Sequence, residues 1–273
     1  MSQHQTVISN KLSVARRLRE LVEYKDLLWV LAKRDFKIKY AQTFLGVFWS
    51  FIRPIILIGI FSFVFGTVVK VDTGGIPYII FVFTGISGWT FFSAVLGGAS
   101  ASLRGSSAMI KKVYFPRLVI PLSKAMVALI DFGIVLALLL AYLFIEGHSF
   151  TTNVLYFPLF VLANILVGLT FGIWISALTI RYRDLQQIVP FVLQVGMYAT
   201  PVAYPARLVP EKYLDLYYMV NPMVGIIEGF RWSLLGYGEL EPVSFVSIGL
   251  IAVLFVLGVL FFFRVERIMP DIL

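Results

Sequence analysis

The sequence predicts an all-α, polytopic membrane protein, and three observations predict it. Of the 273 residues, 59% are hydrophobic and 14% charged; a chain of that length cannot hide so much apolar surface inside a water-soluble ball. Six stretches stay apolar over the roughly 20 residues that a helix needs to cross a hydrocarbon core about 30 Å thick. The positive charges are also sorted between the connecting segments. Of the 23 Lys and Arg, ten lie from Lys11 to Arg53, five from Arg104 to Lys124, and four are Arg181, Arg183, Arg264 and Arg267; Lys70, Arg207, Lys212 and Arg231 remain for the other side. Because cytoplasmic loops carry the excess of Lys and Arg, both termini are expected in the cytoplasm. The net charge of +8 is then a topology signal, and a nucleic-acid partner is not expected.

The reading is one domain over 1–273, with a cytoplasmic interface region at 1–46, six spans within 47–263 and a cytoplasmic tail at 264–273. The first 46 residues are rich in Lys and Arg without an early apolar run, so they are not read as a cleaved signal peptide. From Tyr24 to Tyr40 the chain reads YKDLLWVLAKRDFKIKY. Leu28, Ala32 and Phe36 recur at i+4 beside Leu31, while Lys33 and Lys37 share another face, which predicts an amphipathic helix lying along the bilayer surface. Such a helix serves either as a membrane anchor or as a dock for a partner. The spans are expected at 47–69, 77–98, 118–145, 154–179, 186–204 and 243–263. Between spans two and three, SLRGSSAMIKKVYFPR (Ser102–Arg117) predicts a short surface helix closed by Pro116, and RYRDLQQ at 181–187 predicts a tight turn anchored by Arg181 and Arg183.

The segment from Thr200 to Arg231 is unlike an exposed loop, because Pro breaks alternate with Tyr213, Tyr217, Tyr218 and apolar pairs such as Met223 with Val224. It reads as backbone re-entering the membrane from one face, which is tolerated only where protein or a water-filled cavity covers it. The stretch from Gly225 to Leu235 is too short to cross. Pro222 has no N–H to donate and biases Asn221 away from helical geometry, so the break is written into the sequence.

Polar residues inside apolar spans are costly and face protein or water. Arg53 lies just inside the first span, Asp131 near the middle of the third and Gln194 in the fifth; function and structural pairing are both open readings, and Arg53 with Asp131 is one conceivable pair. Aromatic residues make up 16% of the chain. In the first span Phe44, Phe48, Phe51, Ile55, Ile58, Ser62 and Phe65 fall on one helical face, and Phe191, Gln194 and Tyr198 do so in the fifth. A sugar ring offers a C–H face to an aromatic ring and hydroxyls to amides and phenols, so these residues are candidates to line a channel along which a chain slides; lipid contact or helix packing is the alternative. Gly168 and Gly172 form a G-x-x-x-G pattern suited to close helix packing.

Several chemistries are excluded. No G-x-x-x-x-G-K-[ST] phosphate loop occurs, so this chain is not expected to hydrolyse ATP. With no Cys, and with His4 and His148 the two histidines, neither a cysteine- or histidine-built metal site nor a histidine-based triad can be assembled. Arg183 with Asp184, and Glu228 with Arg231, read as local ion pairs or helix-end contacts. No catalytic residue and no metal ligand is assigned.

Four blocks then occur in order: RDFKIKYAQTFLGVFWSFIRP (34–54), IKKVYFPRLVIPLS (110–123), RYRDLQQIVPFVLQVGMYATPVAYP (181–205) and NPMVGIIEGFR (221–231). Together they make the chain resemble the membrane subunits of ABC-2 type polysaccharide exporters, the permeases for O-antigen, capsular polysaccharide and teichoic acid. The resemblance implies a half-transporter in the cytoplasmic (inner) membrane that dimerises with itself and recruits two cytoplasmic ATPase subunits. These would carry the ATP and Mg, and the permease itself would bind no cofactor. It implies further that the amino-terminal helix and the loop after the second span touch the ATPase, making Leu28, Lys33, Asp35, Lys37, Arg104, Lys111 and Lys112 coupling candidates. In the same manner the external segment would form two short gate helices, with Asn221, Pro222, Glu228 and Arg231 as gate candidates. Phe48, Phe51, Ile55, Phe191, Gln194 and Tyr198 are the channel-lining candidates, with membrane lipids as neighbours. The cargo implied is a lipid-linked polysaccharide; an ABC-2 exporter of a drug or lipid, an ATP-independent channel or carrier, and a membrane-embedded enzyme are the alternatives.

Overall fold

A computed structural model describes residues 14–41, 46–266 and 269; His4, Lys11, Phe44 and Arg267 lie outside the described residues. Within these the chain is helical, with no strand. In order come α1 (Val14–Glu23), α2 (Lys25–Tyr40), α3 (Trp49–Phe61), α4 (Tyr78–Gly105), α5 (Ser107–Ile110), α6 (Val119–Ile145), α7 (Phe157–Leu178), α8 (Leu185–Ala199), α9 (Glu211–Val220), α10 (Pro222–Leu235) and α11 (Pro242–Val265). A π-helical stretch, Ser62–Val68, continues α3, and a 3-10 turn, Thr152–Tyr156, leads into α7. Among the described residues, five helical runs are long and apolar enough to cross a membrane: Trp49–Val68, Tyr78–Gly105, Val119–Ile145, Thr152–Leu178 and Pro242–Val265.

The stretch expected as the fifth span behaves differently. Its helix, α8, has 15 residues, about 22 Å at 1.5 Å per residue, and it stops at Thr200, where ψ turns to 147°. The cause is local. Thr200 precedes Pro201, whose ring clashes with helical geometry in the residue before it. The helix α10 starts as sharply, because the Asn221 side chain accepts the Met223 N–H at 3.1 Å and Pro222 occupies the first helical position, where no donor is missed. It ends at Gly236, whose φ of 65° is the left-handed geometry that glycine adopts without a Cβ penalty.

The central helix is α4, buried over most of its length between α6, α7, α3, α8 and α10. Small residues let its neighbours approach. A Cβ built on Gly168 would stand 2.7 Å from Val95, and one on Gly172 would stand 2.5 Å from the Ala99 Cβ; the G-x-x-x-G face of α7 therefore lies directly on α4. The Asn164 amide donates to the Gly88 carbonyl at 3.0 Å across the same contact, while on the other side of α7 the Trp174 indole donates to the Leu254 carbonyl of α11 at 3.0 Å. Gly172→Val is expected to force α7 off α4 and cost about 1–3 kcal/mol. Gly133→Val, where a Cβ meets nothing within 4 Å, should leave the thermal midpoint in detergent unchanged; equal midpoints for the two variants would show that the α4/α7 contact is looser than drawn.

Candidate functional site

Where α8 breaks, the backbone from Thr200 to Pro205 is non-helical yet mostly buried. Unpaired carbonyls in such a place cost several kcal/mol each, and side chains answer those at the end of α8 and at Val202 and Ala203. The Tyr217 hydroxyl donates to the Ala199 carbonyl at 3.0 Å, with the Asn221 amide 3.3 Å from the same oxygen, and that amide also reaches the Thr200 hydroxyl at 2.9 Å. The Tyr204 hydroxyl donates to the Tyr198 carbonyl at 3.0 Å, and the Tyr78 hydroxyl to the Ala203 carbonyl at 2.7 Å. The Arg231 guanidinium, with 0% of its side chain exposed, donates to the Val202 carbonyl at 2.8 Å and pairs with Glu228 at 3.1 Å, lying 3.5 Å above the centre of the Phe81 ring. Glu228 in turn accepts the Ala206 N–H at 3.0 Å. A buried charge is tolerated when it is paired and its remaining donors are filled; here the pair and the break satisfy each other. On α4, Gly85 makes room for this, since a Cβ there would lie 2.5 Å from the Val202 carbonyl oxygen and 2.7 Å from the Arg231 guanidinium.

At the other end of the bundle, α2 packs along α6. Leu31 and Ala32 are buried and Leu28 half-buried, whereas Lys33 and Lys37 are exposed beside Trp29, Val30 and Ile38. Asp35 is not on the open face: it joins Arg34 at 2.8 Å and Lys124 of α6 at 2.7 Å. One turn on, the Lys39 ammonium meets Asp131 of α6 at 2.5 Å, and the Tyr40 hydroxyl donates to the other oxygen of Asp131 at 2.6 Å. Burial by itself lowers the Lys39 pKa, but the hydrogen bond and charge of Asp131 outweigh it and hold the ammonium above the usual lysine range. The ammonium therefore keeps its charge at neutral pH. Arg34 also reaches Met109 of α5, so the exposed faces of α2 and of the segment carrying Lys111, Lys112, Val113 and Tyr114 adjoin.

Comparison with known proteins fits this geometry. The family model for the ABC-2 type transporter matches residues 26–235. The chain belongs to the ABC-2 type transporter family. It is 31% identical over 217 residues to the O-antigen export system permease protein RfbA of Myxococcus xanthus, covering 79% of this chain and 83% of that protein. It is 30% identical over 208 residues to the O-antigen export system permease protein RfbA of Klebsiella pneumoniae, covering 76% and 79% respectively.

Within this ABC-2 type transporter, the residues singled out from sequence fall into three groups. Asn221, Pro222, Glu228 and Arg231 are brought together, as the framework that caps α10 and holds the break in α8. Lys33, Lys37, Lys111 and Lys112 are exposed and Arg104 is half-buried, donating to Gln186 at 3.1 Å. Phe48, Ile55, Phe191, Gln194 and Tyr198 are exposed, and Phe51 half-buried. The aromatic stripe of the first span does not all face one environment, for Ile58 is buried and Ser62 and Phe65 half-buried. The buried face of α3 runs through Pro54, Ile58 and Phe61, about a sixth of a turn from the stripe, which so straddles the border between buried and open sides. Tyr198 stacks on Phe61 at 6.3 Å, which brings α8 against α3. Asp184 precedes α8 without a side-chain cap bond, and Arg183 with Asp184 forms no ion pair among the described residues.

Two features escaped the sequence reading. Asp131 pairs with Lys39, not with Arg53; Arg53 instead lies 5.6 Å from the centre of the Trp49 ring. The reason is that α2 runs alongside α6, which no period in either helix reveals. The second is Glu266, just beyond α11. It accepts Arg17 of α1 at 3.0 Å and the Arg117 N–H at 2.9 Å, while its carbonyl accepts the Arg117 guanidinium. Burial pushes the Glu266 carboxyl up, against the pull of Arg117 and Arg17. One side chain thus ties α1, the segment after α5 and the end of α11. The single acid in RVER at 264–267 was the available signal.

Proposed function

We propose that this chain is the membrane half of an ATP-driven exporter, working as a homodimer with two separate ATPase subunits, and that it moves a lipid-linked polysaccharide such as O-antigen across the cytoplasmic membrane. The observation that carries the reading is the similarity to two O-antigen export permeases over about four fifths of each chain. In this reading α8 is a sixth span, α9 and α10 re-enter from the outer face, and both termini are cytoplasmic. The helix α10 is buried over all but one of its 14 residues. Its burial and the satisfied break beside it meet the condition for irregular backbone at membrane depth.

The coupling step follows from the ion pairs. ATP-driven closure of the motor subunits pushes on α2 and on the 102–117 segment; because α2 is fastened to α6 through Lys124 and Asp131, the push displaces α6 and, through α4, the packing of α3 and α8. Phe48, Phe51, Ile55, Phe191, Gln194 and Tyr198 then present weak contacts along which a polymer advances, the balance between binding and release that conduction requires.

The test is export in a strain lacking its own permease, with the cognate ATPase supplied. Surface polysaccharide is expected with the intact chain and not with a form lacking residues 1–40, and the purified chain alone should release no phosphate from ATP. Normal export by the shortened form would reduce α2 to an anchor; restored transport of a drug but not of polysaccharide would shift the cargo. Sidedness is read separately. Because the chain has no Cys, Asp215→Cys in intact cells should react with an impermeant thiol reagent and Ser107→Cys only after permeabilisation, the reverse pattern inverting the topology.

A further inference from the structure

Between α2, α3, α4 and α6 lies a cavity of about 430 Å³ that neither the proposed channel face nor the motor face includes. Its chemistry is divided. Leu57, Phe91, Phe132 and Val135 make apolar walls, while Lys39, Arg53, Ser93 and Asp131 bring polar groups to the same space. Lys39 and Asp131 neutralise each other at 2.5 Å, so the charge left over is that of Arg53. Arg53 has no carboxylate within ion-pair reach among the described residues, and its one ring contact, Trp49, leaves the guanidinium donors unused. The Ser93 hydroxyl, buried in the wall from α4, has no hydrogen-bond partner. Arg53 is exposed, and an exposed guanidinium with free donors beside apolar walls suits an amphiphilic anion with several acceptor oxygens.

Depth narrows the choice of anion. From Arg53 to the far end of its span at Val68, and from Asp131 to the far end of α6 at Ile145, the helices run about 20–22 Å at 1.5 Å per residue. Measured against an apolar layer about 30 Å thick, the cavity lies in the leaflet next to α2, within an arginine side chain's reach of the headgroups. A soluble anion would leave the apolar walls unfilled, whereas an amphiphile fills both halves.

We propose that this cavity binds the phosphate of a membrane lipid, with the Arg53 guanidinium on phosphate oxygens and the first chain carbons against Leu57, Phe91 and Val135. Guanidinium suits the task because its fork donates two parallel, charge-assisted hydrogen bonds to a phosphate. A phosphate group is common to the bulk phospholipids and to polyprenyl phosphate carriers, and competition separates the two sources. The proposal does not depend on which cargo the transporter carries or on the ATPase.

The measurement is native mass spectrometry of the full-length chain, delipidated in a neutral detergent and titrated with phosphatidylglycerol, with diacylglycerol of the same chains, with a polyprenyl phosphate and with inorganic phosphate. Phosphatidylglycerol should bind and diacylglycerol should not. Arg53→Gln should weaken binding about tenfold, Arg53→Lys by less, and Leu57→Trp, which fills the cavity from α3 and keeps Arg53, should also weaken it. Arg264→Gln, an exposed cation elsewhere, should change nothing. Displacement of phosphatidylglycerol by the polyprenyl phosphate would assign the site to a carrier lipid, and failure to displace it to bulk phospholipid. The proposal fails if Arg53→Gln and Leu57→Trp both bind as the unchanged chain does, if Arg264→Gln loses as much as Arg53→Gln, or if diacylglycerol or inorganic phosphate binds as tightly as phosphatidylglycerol.

Discussion

Replacing Arg231 by Ala is expected to lower stability by about 3–5 kcal/mol, the range seen when one partner of a buried pair is removed. The size follows from what is left behind. Glu228 loses its cation with the Ala206 N–H still attached, the Val202 carbonyl loses its donor, and the Phe81 ring loses the cation above it. Gly85, next to the Val202 oxygen, provides space and no side-chain donor. Arg231→Lys should recover part of the loss: an ammonium keeps the charge but cannot serve Glu228 and the Val202 carbonyl with one planar fork. Arg231→Met with Glu228→Gln should recover more than Arg231→Met alone, because the glutamine oxygen still accepts from Ala206 without a stranded charge. The yield of monodisperse protein and its thermal midpoint in detergent report all four variants. A midpoint for Arg231→Ala within a degree of the unchanged chain would mean that the break in α8 does not need this residue.

The second large effect lies at Lys39 and Asp131, and it is asymmetric. The Lys39 side chain is 49% exposed and that of Asp131 13%. Asp131→Ala releases an ammonium that can swing into the headgroup region, at a cost of about 1 kcal/mol after solvent screening. Lys39→Met instead strands a mostly buried carboxylate with the Tyr40 hydroxyl as its remaining donor, which costs about 3 kcal/mol. The double variant Lys39→Met, Asp131→Leu should lie closer to the unchanged chain than Lys39→Met does. The same set, assayed for export with the ATPase present, tests coupling: if α2 drives α6 through this pair, the double variant keeps its stability and loses transport. Equal midpoints for the two single variants would mean that Asp131 is far better hydrated than its surroundings in the bundle suggest.

Membrane class, helical fold and helix punctuation are legible in the residues alone, because each rests on short-range physics. Apolar length sets a span, a proline restricts the residue before it, and Asn-Pro opens a helix; hence α2, the five long helices and the start of α10 fall close to where they were expected. The break after α8 was also legible as Thr-Pro, but its consequence was not, since a 15-residue helix and a 20-residue span differ by what the backbone beyond Thr200 finds to bond with. Long-range packing settles that. Arg231 stands 29 residues from Val202 and 150 from Phe81, and Lys39 stands 92 from Asp131. A buried charge in a membrane protein must be neutralised by whichever element packs against it, and no periodicity within one helix carries that information. The same limit explains why Asp131 meets Lys39 and not Arg53, and why Glu266 passed unnoticed.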